Sequence, residues 1–345
     1  MPKTVDVRDP WVTLEECFAS ATECPTLLWG DGIEYLAKDL RNLPWLSFFT
    51  HDAYTSSQLE MPQETRIYPD GEPFERVIIR LPASKEQFRA MLAWAQHKLV
   101  GARECWVFGH KNEGIRSAEK LLSDIGTEAE CLRLKRRTRV LRTTLSPQDN
   151  SHEPVTNRQL ITVGSSPIQC VSYPGVFSHG RLDPGTAALI SFLSRHKPTS
   201  KIVDLGCGAG PIGLFLAHRW PESKIKLYDR SALAVIAARE SMKLNNLENV
   251  TIAAIPVDAI PREPWHGLVV SNPPFHQGKE TRTDLIGEFA QAARHQMRPG
   301  ASFLAVANRH LPYRKPLNEV FHSVEIAWED NSYCIWRSKG PRKTR

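Results

Sequence analysis

The strongest constraint on the fold lies in one stretch, SKIVDLGCGAGPIGLFLAHRW, which starts at Ser200. A short apolar run reads as a buried strand and ends among Gly206, Gly208, Gly210 and Gly213. Apolar residues then continue as a helix. Strand, glycine turn and helix make the opening of a βα unit, and the pattern repeats. SKIKLYDRS reads as a second strand and ALAVIAARESMKLNNL as a helix, with Ser231 as its N-cap and Asn245 and Asn246 near its end. NVTIAAIPVDAI reads as a third strand and HGLVVSNPP as a fourth. TDLIGEFAQAARHQMRPG reads as a helix ended by Pro299-Gly300, and ASFLAVANRH as a fifth strand. Repeated βα units of this length fold as a parallel, doubly wound α/β sheet, with ligands beyond the carboxyl ends of the strands.

A chain of 345 residues is long enough for about two domains of ~150 residues each. Residues 143–159, TTLSPQDNSHEPVTNRQ, are polar, hold two prolines and read as a linker or a long surface loop. The expected domains are therefore 1–150 and 160–345. The N-terminal half carries a fainter copy of the same pattern. FERVIIRLPASKEQFRAMLAWAQHKL aligns with the segment around HGLVVSNPPFHQGKE, and ARECWVFGHKNEGIRSAEKLLSDIG with GASFLAVANRHLPYRKPLNEVF. An internal duplication is expected. The first copy lacks a glycine-rich loop, with PTLLWGDGIEYL its nearest substitute, and has RLPASKEQF in place of SNPPFHQGK. It is expected to be degenerate and to carry no chemistry.

Composition narrows the classes. Hydrophobic residues make up 41% and charged residues 24%, as in ordinary soluble proteins. No apolar run approaches the ~18 residues of a membrane span, and MPKTVDVRDP has no apolar signal core. A cytoplasmic protein is expected. The seven cysteines are scattered, with no C-x-x-C pair, so neither a disulfide framework nor a zinc site is expected. The twelve histidines show no ligand spacing, and no metal is expected. A net charge of +6 permits a polyanionic partner. The sharpest basic run, RLKRRTRVLR, holds six Lys/Arg between Arg133 and Arg142. It reads either as a solvated face or as an RNA-contacting surface through Arg136, Arg137 and Arg139.

The glycine loop also fits G-x-G-x-x-G, through Gly208, Gly210 and Gly213, with Asp229 twenty-one residues past Gly208. A dinucleotide is therefore one candidate. Asp204 argues for a different ligand. An acid two residues before Gly206 gains nothing beside a pyrophosphate. It gains from S-adenosylmethionine, which brings a sulfonium cation and an ammonium donor. Asp229, at the end of the second strand, then fits as acceptor for the ribose hydroxyls. Asp258, after the third, fits either the adenine amine or a solvated loop.

VDLGCGAG, YDRS, VDAI and SNPPFHQG together resemble the class I methyltransferase pattern. More closely, YPGVFSHGRLDPGTAALI, NPPFHQG and ANRHLPY resemble the bacterial small-subunit ribosomal RNA guanine-N2 methyltransferase family, as does GIRSAEKLL in the first half. The resemblance implies two tandem Rossmann-like methyltransferase domains, the N-terminal one degenerate. It implies S-adenosylmethionine as cofactor, held by Asp204, Gly206, Gly208, Gly210, Asp229, Asp258 and Asn272. It also implies 16S rRNA of the small ribosomal subunit as substrate, and a monomer as the working form.

SNPPFHQG supplies the expected chemistry. An exocyclic amine is a poor nucleophile because its lone pair is delocalised into the ring. The Asn272 side-chain oxygen and the Pro273 carbonyl can both accept from that NH₂ group and aim its lone pair. Two prolines stiffen the backbone that holds these acceptors. Phe275 offers a face on which a flipped base stacks. The amine becomes strongly acidic as it is alkylated, so no tuned general base is required. His276 reads as a phosphate-contacting or supporting residue. Phe177 reads as a cover for the pocket or as a core residue. The same motif suits other planar amines: a guanine of 23S rRNA, adenine N6 or a protein glutamine. An NAD(P)-dependent oxidoreductase and a non-enzymatic RNA-binding module are the remaining alternatives.

Overall fold

The chain divides into two units, Met1–Asn157 and Arg158–Arg345. The computed structural model describes residues 8–70, 73–147, 158–163, 166–264, 266–274, 276–277, 280–281 and 285–342. Each unit is an α/β layer built on a mixed sheet.

The N-terminal sheet comprises β1 (Thr26–Trp29), β2 (Leu46–Phe49), β3 (Arg76–Arg80), β4 (Glu104–His110), β5 (Glu130–Lys135) and β6 (Thr138–Thr144). Its order is β2-β1-β3-β4-β6-β5. Strands β1 to β4 run parallel, and β5 and β6 form an antiparallel hairpin at the edge. Helices α1 (Asp9–Phe18), α2 (Lys38–Arg41), α3 (Ala53–Gln58), α4 (Lys85–Lys98) and α5 (Ile115–Ile125) complete the unit. Strand alternation sends Val77 and Ile79 to one face, against Phe88, Met91 and Trp94 of α4. Ile78 faces the other way, into a cluster with Trp11 and Leu14 of α1. Burial on both faces explains why β3 reads as a continuous apolar run.

The C-terminal unit begins with a hairpin of β7 (Gln159–Thr162) and β8 (Gln169–Ser172). Then follow α6 (Pro184–Leu193), β9 (Lys201–Leu205), α7 (Pro211–Arg219), β10 (Lys224–Asp229), α8 (Ala232–Leu244), β11 (Val250–Ala254) and β12 (His266–Ser271). A two-residue pair, β13 (His276–Gln277) and β14 (Glu280–Thr281), precedes α9 (Leu285–Gln296). The unit ends with β15 (Met297–Asn308), α10 (Arg314–Val320), β16 (Phe321–Glu329) and β17 (Tyr333–Pro341). The sheet order is β11-β10-β9-β12-β15-β17-β16.

Setting β11 aside, the two sheets have the same order and the same strand directions. Strand β1 corresponds to β9, β3 to β12, β4 to β15, and the β5–β6 hairpin to β16–β17. This is the pairing that the sequence alignment of the two halves expects.

The structure departs from the sequence reading in four places. The sheets are mixed rather than wholly parallel, because each ends in an antiparallel hairpin. Helix α9 stops at Gln296, and Pro299-Gly300 lies inside β15, where its register with β12 slips between His266 and Leu268. Strand β11 stops at Ala254, and Val257–Ala259 is a short 3-10 turn. The linker reading is too wide, since Thr143 and Thr144 close β6 and Gln159 opens β7. Among the described residues no helix is long and apolar enough to cross a membrane.

Helix α7 packs tightly on β10 at Gly213. A Cβ there would lie 2.6 Å from Cδ1 and 2.8 Å from Cγ of Leu227, which is fully buried, so the core would have to shift to accept it. Gly213→Ala is expected to destabilise the protein by about 1–3 kcal/mol through overpacking. Urea denaturation measures this, and an unchanged midpoint would contradict the packing argument.

Candidate active site

Strands β9, β10, β11 and β12 are parallel, so their carboxyl ends form one edge of the C-terminal sheet. Most sequence-predicted residues fall on that edge. The turn after β9 holds Gly206, Gly208 and Gly210 at φ values of +69°, +56° and +87°. Glycine adopts these values without steric cost, whereas other residues do so with strain. A Cβ on Gly208 would meet nothing within 4 Å, so open space lies over this residue.

Two acids shape the turn. Asp204 is fully buried at the end of β9. Its Oδ2 accepts from the Gly213 N–H at 3.0 Å and thereby satisfies a donor in the first turn of α7. Its Oδ1 is buried with no partner. Burial pushes the Asp204 pKa from its usual 3.8 up to about 7, with the Gly213 N–H pulling the other way and the Asp229 charge adding to the rise. Asp229 ends β10. Its Oδ2 accepts from the Gly208 N–H at 2.8 Å, and its Oδ1 from the Ser231 N–H at 2.8 Å. Burial raises its pKa too, against the opposing pull of these N–H donors. Among the described residues neither acid forms an ion pair.

This arrangement discriminates between ligands. An orphaned buried carboxylate oxygen and a second unpaired acid suit a cationic ligand. A pyrophosphate would face both acids. The helix N–H that it needs, at Gly213, already serves Asp204. The site therefore fits the sulfonium and ammonium of S-adenosylmethionine and does not fit a dinucleotide. Asp258 lies exposed in the 3-10 turn after β11.

Asn272 follows the last residue of β12. Its neighbour Ser271 pairs with Leu205, and the Ser271 hydroxyl donates to the Leu205 carbonyl at 2.7 Å. Asn272 thus sits beside the glycine turn. Its Nδ2 donates to Asp183 Oδ2 at 2.8 Å and to Thr186 Oγ1 at 2.9 Å. Both amide hydrogens are engaged, and Oδ1 is left as the acceptor. Pro273 is buried and Pro274 exposed. Phe275 lies outside the described residues. His276 belongs to β13.

Sequence reasoning assigned no role to Asp183 or Thr186. Asp183 is the N-cap of α6, accepting from the Thr186 N–H at 2.8 Å, with Pro184 in the first turn. Asp-Pro ahead of an apolar helix is the signal that marks such a cap. Phe177 lies six residues upstream, in the turn that leads to α6. It is 59% exposed, which excludes the core reading. The adjoining Ser178 has φ +56°, and the His179 ring bonds the Ser172 hydroxyl at 3.0 Å.

The basic run, read as a solvated face or as an RNA-contacting surface, is extensively ion-paired. It forms the β5–β6 hairpin, with Arg136 and Arg137 in its turn at φ +47° and +66°. Arg133 and Lys135 bond Glu16, Arg136 bonds Asp9, Arg139 bonds Glu119, and Arg142 bonds Glu130. Glu104 adds a fifth carboxylate, 3.6 Å from Arg142. Glu104 also pairs with Arg76, so it is shared between two arginines. Arg137 is the exposed cation of the run with no ion pair among the described residues.

In the N-terminal unit, the last residue of β3 is Arg80, at the place Ser271 holds in β12. Its guanidinium bonds Glu113 at 2.9 and 2.5 Å and lies over the Phe108 ring. Leu81 replaces Asn272 and is buried. The position corresponding to Asn272 therefore holds an apolar side chain, beside an ion pair.

Residues 167–337 match the family described as the methyltransferase small domain, and residues 22–154 match the methyltransferase small domain N-terminal family. The ribosomal RNA small subunit methyltransferase C of Pseudomonas putida is 33% identical over 274 residues, covering 79% of this chain and 81% of that protein. Its namesake in Pseudomonas aeruginosa is 34% identical over 281 residues, covering 79% and 83%. Among solved structures, the T. thermophilus 16S rRNA N2 G1207 methyltransferase, in complex with AdoMet and guanosine, matches with a TM-score of 0.80. It is 20% identical, with 98% of this chain and 94% of that chain covered, and the likeness is one of fold.

The raised pKa of Asp204 has a signed consequence. The folded state holds this proton to about pH 7, whereas the unfolded chain releases it near 3.8. This group's contribution to stability is therefore lost as pH rises through that window, by up to about 4 kcal/mol. Asp204→Asn should flatten the fall. Urea titrations of both proteins at pH 5 and pH 8 measure it, and a wild-type minus variant difference that is independent of pH would contradict the assignment.

Proposed function

This chain belongs to the ribosomal RNA small subunit methyltransferase C family, and we propose that it methylates N2 of a guanine in 16S rRNA of the small ribosomal subunit. One juxtaposition carries the reading. A pair of amine acceptors, the Asn272 side chain and the Pro273 carbonyl, stands just past the β9–β12 ladder, beside a glycine turn whose two acids have no cation partner among the described residues.

S-adenosylmethionine supplies an electrophilic methyl group on a sulfonium centre. Asp204, Gly206, Gly208 and Gly210 would hold its amino-acid end. Asp229 has lone pairs beyond those used by Gly208 and Ser231, and these can take the ribose hydroxyls. Asp258 is the candidate for the adenine amine. On the other side, Asn272 and Pro273 accept from the guanine NH₂ group. They draw its nitrogen toward tetrahedral geometry, and Phe275 gives the base a stacking face. The alkylated amine sheds its proton to solvent without a base of its own. His276 and the exposed Phe177 are candidates for contact with RNA around the target. Arg136, Arg137 and Arg139 of the β5–β6 hairpin are candidates for phosphate contact, and Arg137 is exposed with no ion pair among the described residues. Because the substrate is ribosomal RNA, the reading includes a cytoplasmic location. A single chain carries every group invoked, so a monomer suffices. The N-terminal unit is read as holding RNA and carrying no chemistry.

The test is direct. Unmodified small subunits and naked 16S rRNA are each incubated with the protein and labelled S-adenosylmethionine, then digested to nucleosides for mass spectrometry. N2-methylguanosine is expected. Label in methyladenosine, or in protein alone, would contradict the assignment. Asn272→Ala should lower kcat by roughly 100- to 1,000-fold, as when a transition-state hydrogen bond is removed. Calorimetry should show its cofactor affinity nearly unchanged. Asp229→Ala should weaken cofactor binding by about 1.5–3 kcal/mol, the scale of hydrogen bonds to a charged group. Equal affinity in that variant would remove Asp229 from the cofactor site.

A further inference from the structure

We propose that Asp183 is a positioning residue for methyl transfer: its carboxylate, with the Thr186 hydroxyl, fixes which face of the Asn272 amide the target amine meets. The inference rests on the reading of Asn272 given above and adds its cause. An asparagine amide has a donor end and an acceptor end of nearly equal size. Turned one way, Asn272 presents an oxygen to the guanine amine and helps it. Turned the other way, it presents N–H groups to an N–H group, and the site is blocked. Nothing within the side chain itself chooses between the two.

The surroundings choose. Asp183 Oδ2 lies 2.8 Å from Nδ2, and Thr186 Oγ1 lies 2.9 Å from it. An ionised carboxylate has no proton to donate, so it tolerates only the nitrogen end. Flipping Asn272 would set its oxygen against that of the carboxylate and strand two amide hydrogens. Charge-assisted hydrogen bonds are the stronger kind.

The carboxylate is itself held in place. Asp183 caps α6 by accepting from the Thr186 N–H with the same oxygen, at the positive end of the helix dipole. Pro184 occupies the first turn, where its missing N–H costs nothing. Gly185 leaves room, since a Cβ there would lie 3.1 Å from Asp183 Oδ2 and 3.1 Å from the Tyr333 ring. Burial first, and then the nearby Asp183 charge, raises the Tyr333 pKa, so its phenol remains neutral beside the carboxylate. Each residue of Asp183-Pro184-Gly185-Thr186 thus has a task in one device. It joins the start of α6 to the end of β12, 89 residues further along the chain.

Three variants test the device. Asp183→Asn keeps the volume and can still cap α6, because Asn ranks with Asp at N-caps. It loses the acceptor-only character and so permits both orientations of Asn272. Thr186→Val removes one acceptor and keeps the shape. Asp183→Ser retains a capping oxygen too short to serve Asn272 as well. Expected are kcat losses of about tenfold or more for Asp183→Asn and Asp183→Ser, and about three- to tenfold for Thr186→Val, on the scale of single hydrogen bonds. Cofactor affinity by calorimetry, KM for RNA and thermal midpoint should each stay close to wild type. In the Asn272→Ala background, Asp183→Asn should cause no further loss, because the group it positions is gone. A purely structural Asp183 would instead lower stability and cofactor binding together with kcat, and its effect would add to that of Asn272→Ala. Either result overturns the proposal, as does wild-type kcat in Asp183→Asn. Wild-type enzyme that makes no N2-methylguanosine would sink the functional reading itself. Active wild type with an indifferent Asp183 sinks the positioning role alone.

Discussion

The carboxylate of Asp204 lies at the end of β9 with one oxygen on the Gly213 N–H and the other on nothing. Around that bond the rest of the catalytic edge is assembled. It ties the first turn of α7 to the strand before it, and so bends the intervening chain into a turn that only glycines can follow. Asp229 grips the same turn from the neighbouring strand through Gly208. The Gly206 and Cys207 N–H groups both donate to the Tyr228 carbonyl, one residue before Asp229. The turn is therefore held from within β9, from α7 and from β10. What it leaves is open space over Gly208, which Asp229 holds, with Asp204 buried behind the turn and neither acid in an ion pair among the described residues. That combination costs stability in the ligand-free protein, because burying a carboxylate without a counter-charge is unfavourable. A cationic ligand removes the cost on binding, so the strain is a source of affinity.

The two units show what this edge needs by differing in it. Apart from β11, both have the same strand order and the same terminal hairpin. In the N-terminal unit, a Cβ on Gly30 after β1 would lie 2.4 Å from the Arg80 Cβ, so that turn is packed against β3. The Arg80–Glu113 pair then binds the end of β3 to the turn after β4. The N-terminal unit thus closes the end of β3 with its own ion pair. The other keeps its acids unpaired and its amide acceptor free. Fold alone does not confer the chemistry, and a few side chains at the strand ends decide it.

Much of this was legible in the sequence, for physical reasons. Buried parallel strands give continuous apolar runs, so β3, β4, β9 and β12 stand out, and glycines mark the turn after β9. Ser231 caps α8 through the Ala234 N–H, as its position before an apolar helix implies. The edge hairpins were not legible, because β16 is largely exposed on an edge and its residues follow no strict alternation. The start of β15 was read as a helix end, since Pro299-Gly300 signals a turn locally while pairing with β12 carries the strand through it. The ion pairs of the basic run were not legible, because charge in a sequence shows no partners. Asp9, Glu16 and Glu119 lie far from it in the chain and are brought to it by folding. Asp183 escaped for the same reason. A helix cap is visible locally, but the hydrogen bond to Asn272 spans 89 residues of the chain.

The central claim is that Asn272 and Pro273 present two oxygen acceptors to a guanine amine while the Asp204–Asp229 turn holds the cofactor. A crystal structure with S-adenosylhomocysteine and guanosine tests it most directly. The account predicts the guanine N2 atom at about 2.7–3.2 Å from both Asn272 Oδ1 and the Pro273 carbonyl oxygen, the ordinary hydrogen-bond range. It also predicts the Asn272 nitrogen still on Asp183, and the cofactor's ammonium near the free oxygen of Asp204. A guanine whose amine points away from both acceptors, or an Asn272 amide that has turned its nitrogen toward the base, would contradict it.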